Sequence, residues 1–271
     1  MKKKILRILN ILMWVLLVAG FSTLLGYTNI ENDKIRCRQT IIKIDYGKSD
    51  TLISSEDVAT LLKIKGHKLT GEVLGLINYE KIKSDISRQP YVKHTAVYTS
   101  LDGVINIDIV QRQPILRIFN KKNESFYLDA AGTVLPVNPS FSARVLVATG
   151  NIDEPYIRNI NYLQDSVRLT DSLKYGSVMA HLFKLSTYII SNKFLKAQFQ
   201  QVYVDKTGEF ELFPRVGNHI IVFGNTDDVA GKFQKLLIFY KKGLNITGWN
   251  KYQIINIKYK DQVVCLTRTT R

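Results

Sequence analysis

Side chains that could carry out catalysis or bind a metal are few and widely spaced in this sequence. The histidines lie far apart, at His67, His94, His181 and His219. No two of them have the four-residue spacing of a helical zinc site, and the two cysteines, Cys37 and Cys265, form no CxxC motif. No GxSxG sequence marks a nucleophilic serine. The pattern therefore predicts no catalytic residue, no metal site and no cofactor.

The stretch Gly224–Lys232 is a poor match to a phosphate-binding loop. Six residues, rather than the four of the motif, separate Gly224 from Gly231, and Phe233 occupies the position of the magnesium-binding Ser or Thr. We therefore predict that this stretch binds no nucleotide. Residues distant in sequence can still meet in a fold, so an enzyme of an unfamiliar type stays an alternative interpretation.

The basic composition raises the question of nucleic-acid binding, because the formal net charge is +15 over 271 residues. The lysines and arginines are scattered, however, and no basic cluster alternates with aromatic residues as nucleic-acid grooves require. Part of the charge lies at the start of the chain, at Lys2, Lys3, Lys4 and Arg7. We expect no nucleic-acid partner, and a basic surface suits an anionic membrane or cell-wall setting.

Residues 5–27 form an almost continuous apolar run. A helix of about twenty-three residues, rising about 1.5 Å per residue, can cross a hydrocarbon core of about 30 Å. We predict a single transmembrane helix here, preceded by a cytoplasmic tail at residues 1–4, because positively charged flanks stay in the cytoplasm. A cleaved signal peptide is the alternative, but no A-x-A cleavage site follows the run.

A polar stalk and then a first folded domain are predicted to follow the membrane segment. Residues 28–38 are polar and charged, as a stalk requires. Gln39–Ile44 reads as a strand. Ser54 and Asp57 have the spacing of a capping box, which predicts the start of a helix that ends near Gly66.

A second helix and a β-hairpin complete this first domain, predicted over residues 39–112. The helix Tyr79–Ser87 has Asn78 as its N-cap. Two alternating runs then flank the turn Leu101-Asp102-Gly103, which predicts a hairpin. Its apolar face is predicted to consist of Val92, Ala96 and Tyr98 on the first strand and Ile105, Ile107 and Ile109 on the second. A hairpin cannot cover its own apolar face, so the helices must pack there.

Residues 113–271 predict a second domain, made mainly of antiparallel β-strands with flanking helices. Turn sequences separate its short strands. The predicted strands are Ile115–Phe119, Ser125–Leu128, Thr133–Val137, Arg144–Thr149, Phe199–Val204, Glu209–Phe213, His219–Phe223, Gln253–Tyr259 and Val263–Thr269. The predicted helices are Ser172–Ser191 and Val229–Tyr240, the second ended by Gly243. Residues 151–171 are irregular and give little signal.

Several short sequences in both domains resemble the FtsQ/DivIB family of cell-division proteins. They are Gly75-Leu76-Ile77-Asn78, Pro90-Tyr91-Val92, Ala96-Val97, Asp102-Gly103, Ile107-Asp108-Ile109, Gln111-Arg112-Gln113-Pro114-Ile115 and Tyr127-Leu128-Asp129-Ala130-Ala131-Gly132. The resemblance extends over about Gly66–Arg271. It implies a POTRA-like domain of order strand, helix, helix, strand, strand, followed by a β domain. The expected fold class is therefore α+β.

The resemblance also implies a function. A protein of this kind would be a non-enzymatic scaffold of the division complex, anchored once in the plasma (inner) membrane with its bulk outside the cytoplasm, at the division site. Its partners would be FtsB-like and FtsL-like division proteins, with septal cell-wall synthesis linked indirectly. A transport or secretion accessory protein with a POTRA domain is the alternative, but such proteins usually carry repeated POTRA units, and the sequence contains no repeat.

The final predicted strand is the expected partner-binding site. Nothing later in the sequence can pair with its outer edge, and an added strand from an FtsB-like chain would satisfy the backbone groups there. Three aromatic residues, two of them expected on the adjacent strand, are the predicted anchors. The predicted partner-binding residues are Trp249, Tyr252, Tyr259, Val263, Val264, Cys265, Leu266, Thr267 and Arg268.

Overall fold

A computed structural model describes residues 12–23, 35–47, 49–100, 102–158, 160–161 and 177–268. The chain divides into two compact units. The first comprises Met1–Asp45 and Ile53–Val110, and the second comprises Tyr46–Leu52 and Gln111–Arg271. The segment Tyr46–Leu52 thus belongs to the second unit, although both of its neighbours in sequence belong to the first.

The N-terminal helix α1, residues 12–23, is almost entirely apolar in sequence, and its side chains are exposed. Among the described residues, none of the helices combines the length and the apolar character that a membrane span requires. The rest of the predicted span, residues 5–11 and 24–27, lies outside the described residues. The predicted tail 1–4 and most of the predicted stalk, residues 28–34, lie outside them as well.

The first unit has the predicted order of strand, helix, helix, strand, strand. Its elements are β1 (Gln39–Asp45), α2 (Ser55–Ile64), a 3-10 turn (Leu74–Leu76), α3 (Tyr79–Ser87), β2 (Val92–Thr99) and β3 (Val104–Gln111). The three strands form one sheet of order β1-β3-β2, in which β1 runs parallel to β3. The last predicted stalk residues join this unit, because the Cys37 backbone N–H donates to the Glu72 carbonyl at 2.8 Å.

The helix starts of the first unit confirm the predictions from local sequence. The Ser54 hydroxyl accepts from the Asp57 backbone N–H at 3.1 Å, and the Asp57 carboxylate accepts from the Ser54 N–H at 2.9 Å. The Asn78 side chain likewise accepts from the Lys81 N–H at 2.9 Å. Each bond satisfies a backbone donor that the first helical turn leaves unpaired.

The apolar face of the hairpin is confirmed on one strand and wrong in part on the other. Ile105, Ile107 and Ile109 are buried together with Val92 in the core of this unit. Tyr98 is 47% exposed, and its hydroxyl donates to the Asp108 carboxylate at 2.9 Å. On β2 the inward positions are instead taken by Thr95, which is buried, and Val97, which packs against the core. Val92 and Thr95 are both buried although they are three residues apart, so the two-residue alternation predicted from Val92 does not continue along β2.

Within its described residues, the second unit contains a nine-stranded sheet and three α-helices longer than one turn. The strands are β4 (Pro114–Phe119), β5 (Ser125–Asp129), β6 (Val134–Pro136), β7 (Leu146–Gly150), β8 (Phe199–Val204), β9 (Phe210–Pro214), β10 (Ile220–Gly224), β11 (Tyr252–Asn256) and β12 (Val264–Thr267). The helices are α4 (Val178–Ser191), α5 (Lys193–Gln198) and α6 (Val229–Phe239). The predicted α+β class is confirmed, and residues 172–176 of the first predicted helix lie outside the described residues.

The sheet is mixed, with antiparallel neighbours in the majority. Its order is β12-β11-β10-β9-β8-β7-β4-β5-β6. Among the described strands, the parallel neighbours are β4 with β7, β7 with β8, and β10 with β11. Helices α4 and α6 lie in the connections of the last two pairs, as parallel strands require a crossover. The predicted meander of β8, β9 and β10 is present.

The helix after β10 continues beyond its predicted end at Gly243. A π-helical turn, Tyr240–Leu244, follows α6 and leads into a last turn that ends at Gly248, where φ is 88°. Gly243 is needed for a different reason, since a Cβ there would lie 2.9 Å from the Phe239 ring. The prediction was wrong because it assigned to Gly243 the terminating conformation that Gly248 adopts.

Aromatic side chains hold α4 and α6 against the sheet. Phe233 of α6 is fully buried, with its ring centroid 5.0 Å from that of Phe223 and 6.0 Å from that of Phe199. The Tyr188 ring of α4 stacks on Phe233 at 5.2 Å. Both helices therefore share one core with the strands. No described helix of this core lies on the opposite face of the sheet, which we call the open face.

The segment Tyr46–Leu52, called the strap below, is bound to the second unit by hydrogen bonds. The buried Gln111 side chain accepts from the Leu52 N–H at 2.7 Å and donates to the Asp50 carbonyl at 3.0 Å. The Asp50 carboxylate accepts from the Arg144 N–H at 2.7 Å, and Asn138 donates to the Leu52 carbonyl at 2.9 Å. These bonds give protein partners to polar groups of the strap that would otherwise form hydrogen bonds with water.

Candidate functional site

Strand β12 lies at one end of the nine-stranded sheet, as predicted from the sequence, and β11 is its neighbour. The two strands are antiparallel, with Ile254 opposite Leu266 and Asn256 opposite Val264. The ordered strand, Val264–Thr267, is shorter than the predicted one, and Thr269 lies outside the described residues. The other side of β12 therefore offers backbone N–H and C=O groups that no described strand pairs.

The side chains of β12 alternate between the core and the open face of the sheet. Val263 and Cys265 are partly buried and pack against the core. Burial raises the pKa of the Cys265 thiol, so the thiol is protonated at neutral pH. Val264 and Leu266 point the other way and are 47% and 54% exposed. A partner strand beside β12 would extend this exposed apolar surface.

The three predicted aromatic anchors have different surroundings. The Trp249 ring lies 5.1 Å from Tyr240 and belongs to the partly buried shell of the core. The Tyr252 ring packs on Phe239 at 5.8 Å. Tyr259 is not on the strand as predicted, because β11 ends at Asn256; it lies in the following bend and is exposed. Trp249 and Tyr252 thus support the fold, and Tyr259 is the most accessible of the three.

A buried histidine lies beside Trp249 and Tyr240. His219 Nε2 lies 2.9 Å from the Tyr240 hydroxyl, and the Trp249 ring lies 6.3 Å from the imidazole. Burial lowers the pKa of His219, so the ring is neutral at physiological pH. This histidine holds aromatic rings together beneath the edge of the sheet. Among the described residues, His, Cys, Asp and Glu form no cluster that could hold a metal.

An apolar surface on the open face of the sheet beside β12 was not predicted from the sequence. Strand registers align Ile220, Ile254 and Leu266 in one row across β10, β11 and β12. A second row contains Val222, Asn256 and Val264. The signal was present in the sequence, because Ile220-Ile221-Val222-Phe223 and Ile254-Ile255 are apolar on both faces of their strands. We call these two rows the open-face rows.

A basic groove lies on the other flank of the edge, between α6 and the connection from β11 to β12. Its volume is about 1020 Å³. Lys232, the most buried of its lysines, donates to the Asn225 carbonyl and amide oxygens, each at 2.7 Å. Acidic side chains at the groove include Asp228, which caps α6 through the Gly231 N–H at 2.9 Å. The lysines of the groove are Lys232, Lys235, Lys242, Lys258 and Lys260. Asp227, Asp228 and Asp261 also line the groove, so lysines outnumber acidic residues there.

Comparisons with known proteins match both units of the chain. Residues 113–266, more than half of the chain, match the family model described as FtsQ/DivIB, C-terminal related. Residues 35–110 match the model of a POTRA-like domain. The chain is also similar to the cell division protein DivIB of Clostridium acetobutylicum, with 24% identity over 176 residues. That match covers 60% of this chain and 62% of the relative's length.

Proposed function

Because the chain belongs to the FtsQ/DivIB family, we propose that it is a cell-division protein and that it works as a non-enzymatic scaffold. The observation that carries this proposal is the edge strand β12, where backbone groups that no described strand pairs lie beside the exposed side chains of Val264 and Leu266. Such an edge binds another chain by strand addition, in which main-chain hydrogen bonds give affinity and alternate side chains give selectivity.

The partner that we propose for this edge is an FtsB-like chain. A strand added beside β12 would place alternate apolar side chains next to Val264 and Leu266, continuing the open-face rows. The other alternate positions would face the flank with Val263 and the basic groove, where acidic residues are favoured by charge. An FtsL-like protein would join through the same complex, and septal cell-wall synthesis would be linked indirectly.

The first prediction concerns capture of this partner. Val264→Pro removes a backbone donor from β12, and we expect it to abolish strand addition. A second variant, Leu266→Glu, changes an exposed side chain and leaves the backbone intact; we expect it to weaken capture at least about tenfold by burying a charge in the interface. Pull-down of an FtsB-like chain with the membrane-inserted protein measures both effects.

The matched control for this experiment is Lys206→Glu, in the exposed turn between β8 and β9. It introduces the same acidic side chain on the second unit, away from the sheet edge, and should capture the partner normally. Deletion of residues 263–271 is expected to remove capture altogether. A folded, membrane-inserted deletion variant that retains its partner would place the binding surface elsewhere.

We further propose that residues 5–27 anchor the chain in the plasma membrane, with residues 1–4 in the cytoplasm and the division site as the location. Helix α1 supports this proposal through its exposed apolar side chains. Its twelve residues cover about 18 Å, roughly half of the length that a helix over the proposed residues 5–27 would have. The lysines before the run favour a cytoplasmic N-terminus.

The second prediction follows from this orientation. Protease added to intact spheroplasts should digest both folded units, because they lie outside the cytoplasm. Digestion is followed by immunoblotting against a C-terminal tag, with a cytoplasmic protein as the control for intact membranes. Survival of the tagged chain until the membrane is lysed would show that the proposed orientation is inverted.

A further inference from the structure

A second cavity of the second unit lies away from the sheet edge and takes no part in the function proposed above. Its volume is about 290 Å³. It opens where the parallel strands β4, β7 and β8 begin, beside the C-terminal end of α4. The strap contributes Ser49 and Asp50 to its lining. Several elements of one unit therefore build this cavity.

The floor of the cavity is apolar. Ile115, Leu146 and Phe199, from the first residues of β4, β7 and β8, line it and are buried. Ile189 of α4 closes another side and is buried as well. An apolar body placed on these side chains would lose its contact with water, which favours binding in proportion to the area covered.

The rim of the cavity is cationic. Arg144, Lys196 and Arg215 line it, and all three residues are exposed. Within the part of the chain that the structure describes, none of these three side chains forms an ion pair or a side-chain hydrogen bond. Their charges are available to a ligand. One acidic side chain, Asp50, also lines the rim, and its carboxylate already accepts from the Arg144 backbone N–H at 2.7 Å.

We propose that this cavity binds a small amphiphilic carboxylate, with its aliphatic body on the floor and its carboxylate among Arg144, Lys196 and Arg215. The volume sets the size, because about 290 Å³ holds roughly ten non-hydrogen atoms at about 30 Å³ each. Asp50 favours a ligand with a single negative charge, because its carboxylate repels a doubly charged head group more than a singly charged one. Arginine matches the planar carboxylate with paired donors.

The experiment uses hexanoate as the probe and the full chain in lipid nanodiscs. Saturation-transfer NMR gives the apparent Kd, with empty nanodiscs as the background. We expect saturable binding of hexanoate, weaker binding of hexyl phosphate, and no saturable binding of hexanol, which has the same tail without the charge. The triple variant R144Q/K196Q/R215Q should bind hexanoate about tenfold more weakly, because three partly solvated ionic contacts are lost.

Two further variants keep the outcome decisive. Lys206→Gln removes an exposed positive charge remote from the cavity and should leave the Kd unchanged. Ala130→Phe adds a ring at the lining of the cavity and should block hexanoate while every cation is retained. The proposal is overturned if hexanoate binds no better than hexanol, if the triple variant binds like the parent chain, or if hexyl phosphate binds more tightly. None of these readouts involves a division partner, so this proposal and the scaffold proposal fail independently.

Discussion

Replacing Val92 with Asp is expected to lower the free energy of unfolding of the first unit by roughly 4 kcal/mol. Val92 is 2% exposed and packs in the same core as Ile82, Ile86 and Ile107. A carboxylate at this position would lose its hydration without gaining a partner among these apolar side chains. The unit is small, so a loss of this size removes most of its stability.

Hydrogen exchange of the β3 peptide, Val104–Gln111, measures the stability of the first unit directly. The control is His94→Asp, which introduces the same side chain at an exposed position of the same strand and should change protection by less than about 0.5 kcal/mol. The loss caused by Val92→Asp should be smaller near pH 4, where the buried carboxyl can bind a proton, than at pH 7. Unchanged protection of β3 would refute the burial of Val92.

Replacing Phe233 with Ala is expected to destabilise the second unit by about 3–5 kcal/mol. The Phe233 ring is fully buried and contacts the rings of Tyr188, Phe199 and Phe223. Truncation therefore removes contacts to α4 and to two strands at once and leaves a cavity that neighbouring rings cannot fill without leaving their rotamers.

Urea unfolding followed by Trp249 fluorescence reports on this unit, because Trp249 packs beside Tyr240 in the π-helical turn that follows α6. The matched control is Ile238→Ala on α6, where the side chain is 52% exposed, and we expect a change below about 1 kcal/mol. Equal effects of the two substitutions would show that α6 is not fixed to the sheet through Phe233.

Local signals in the sequence predicted the fold best. The capping box at Ser54 and the N-cap at Asn78 depend on residues three positions apart, and both were located correctly. The edge position predicted for the last strand agrees with the place of β12 at one end of the described sheet. Parallel pairing, as between β10 and β11, depends on contacts distant in sequence and was not predicted.

The candidate site was predicted less completely than the fold. Tyr252 and Trp249 suggested anchors because aromatic residues are common in interfaces, yet their contacts with Phe239 and Tyr240 serve the fold. The open-face rows were missed because they form only when strand registers bring Ile220 and Ile254 side by side. Register is a property of the whole sheet, and a single strand does not reveal it.

The strap has a consequence for how this protein can be recombined with its relatives. A chimaera joined once, near residue 112, would combine the strap of one parent with the second unit of another. The Asn138 side chain, which donates to the Leu52 carbonyl, and the Arg144 N–H, which donates to the Asp50 carboxylate, would then come from a different parent than the strap. A working exchange needs three junctions, at about residues 46, 53 and 111, so that the strap travels with the unit that binds it. For the same reason, recombination between relatives is restricted in exchanging the two units as independent segments.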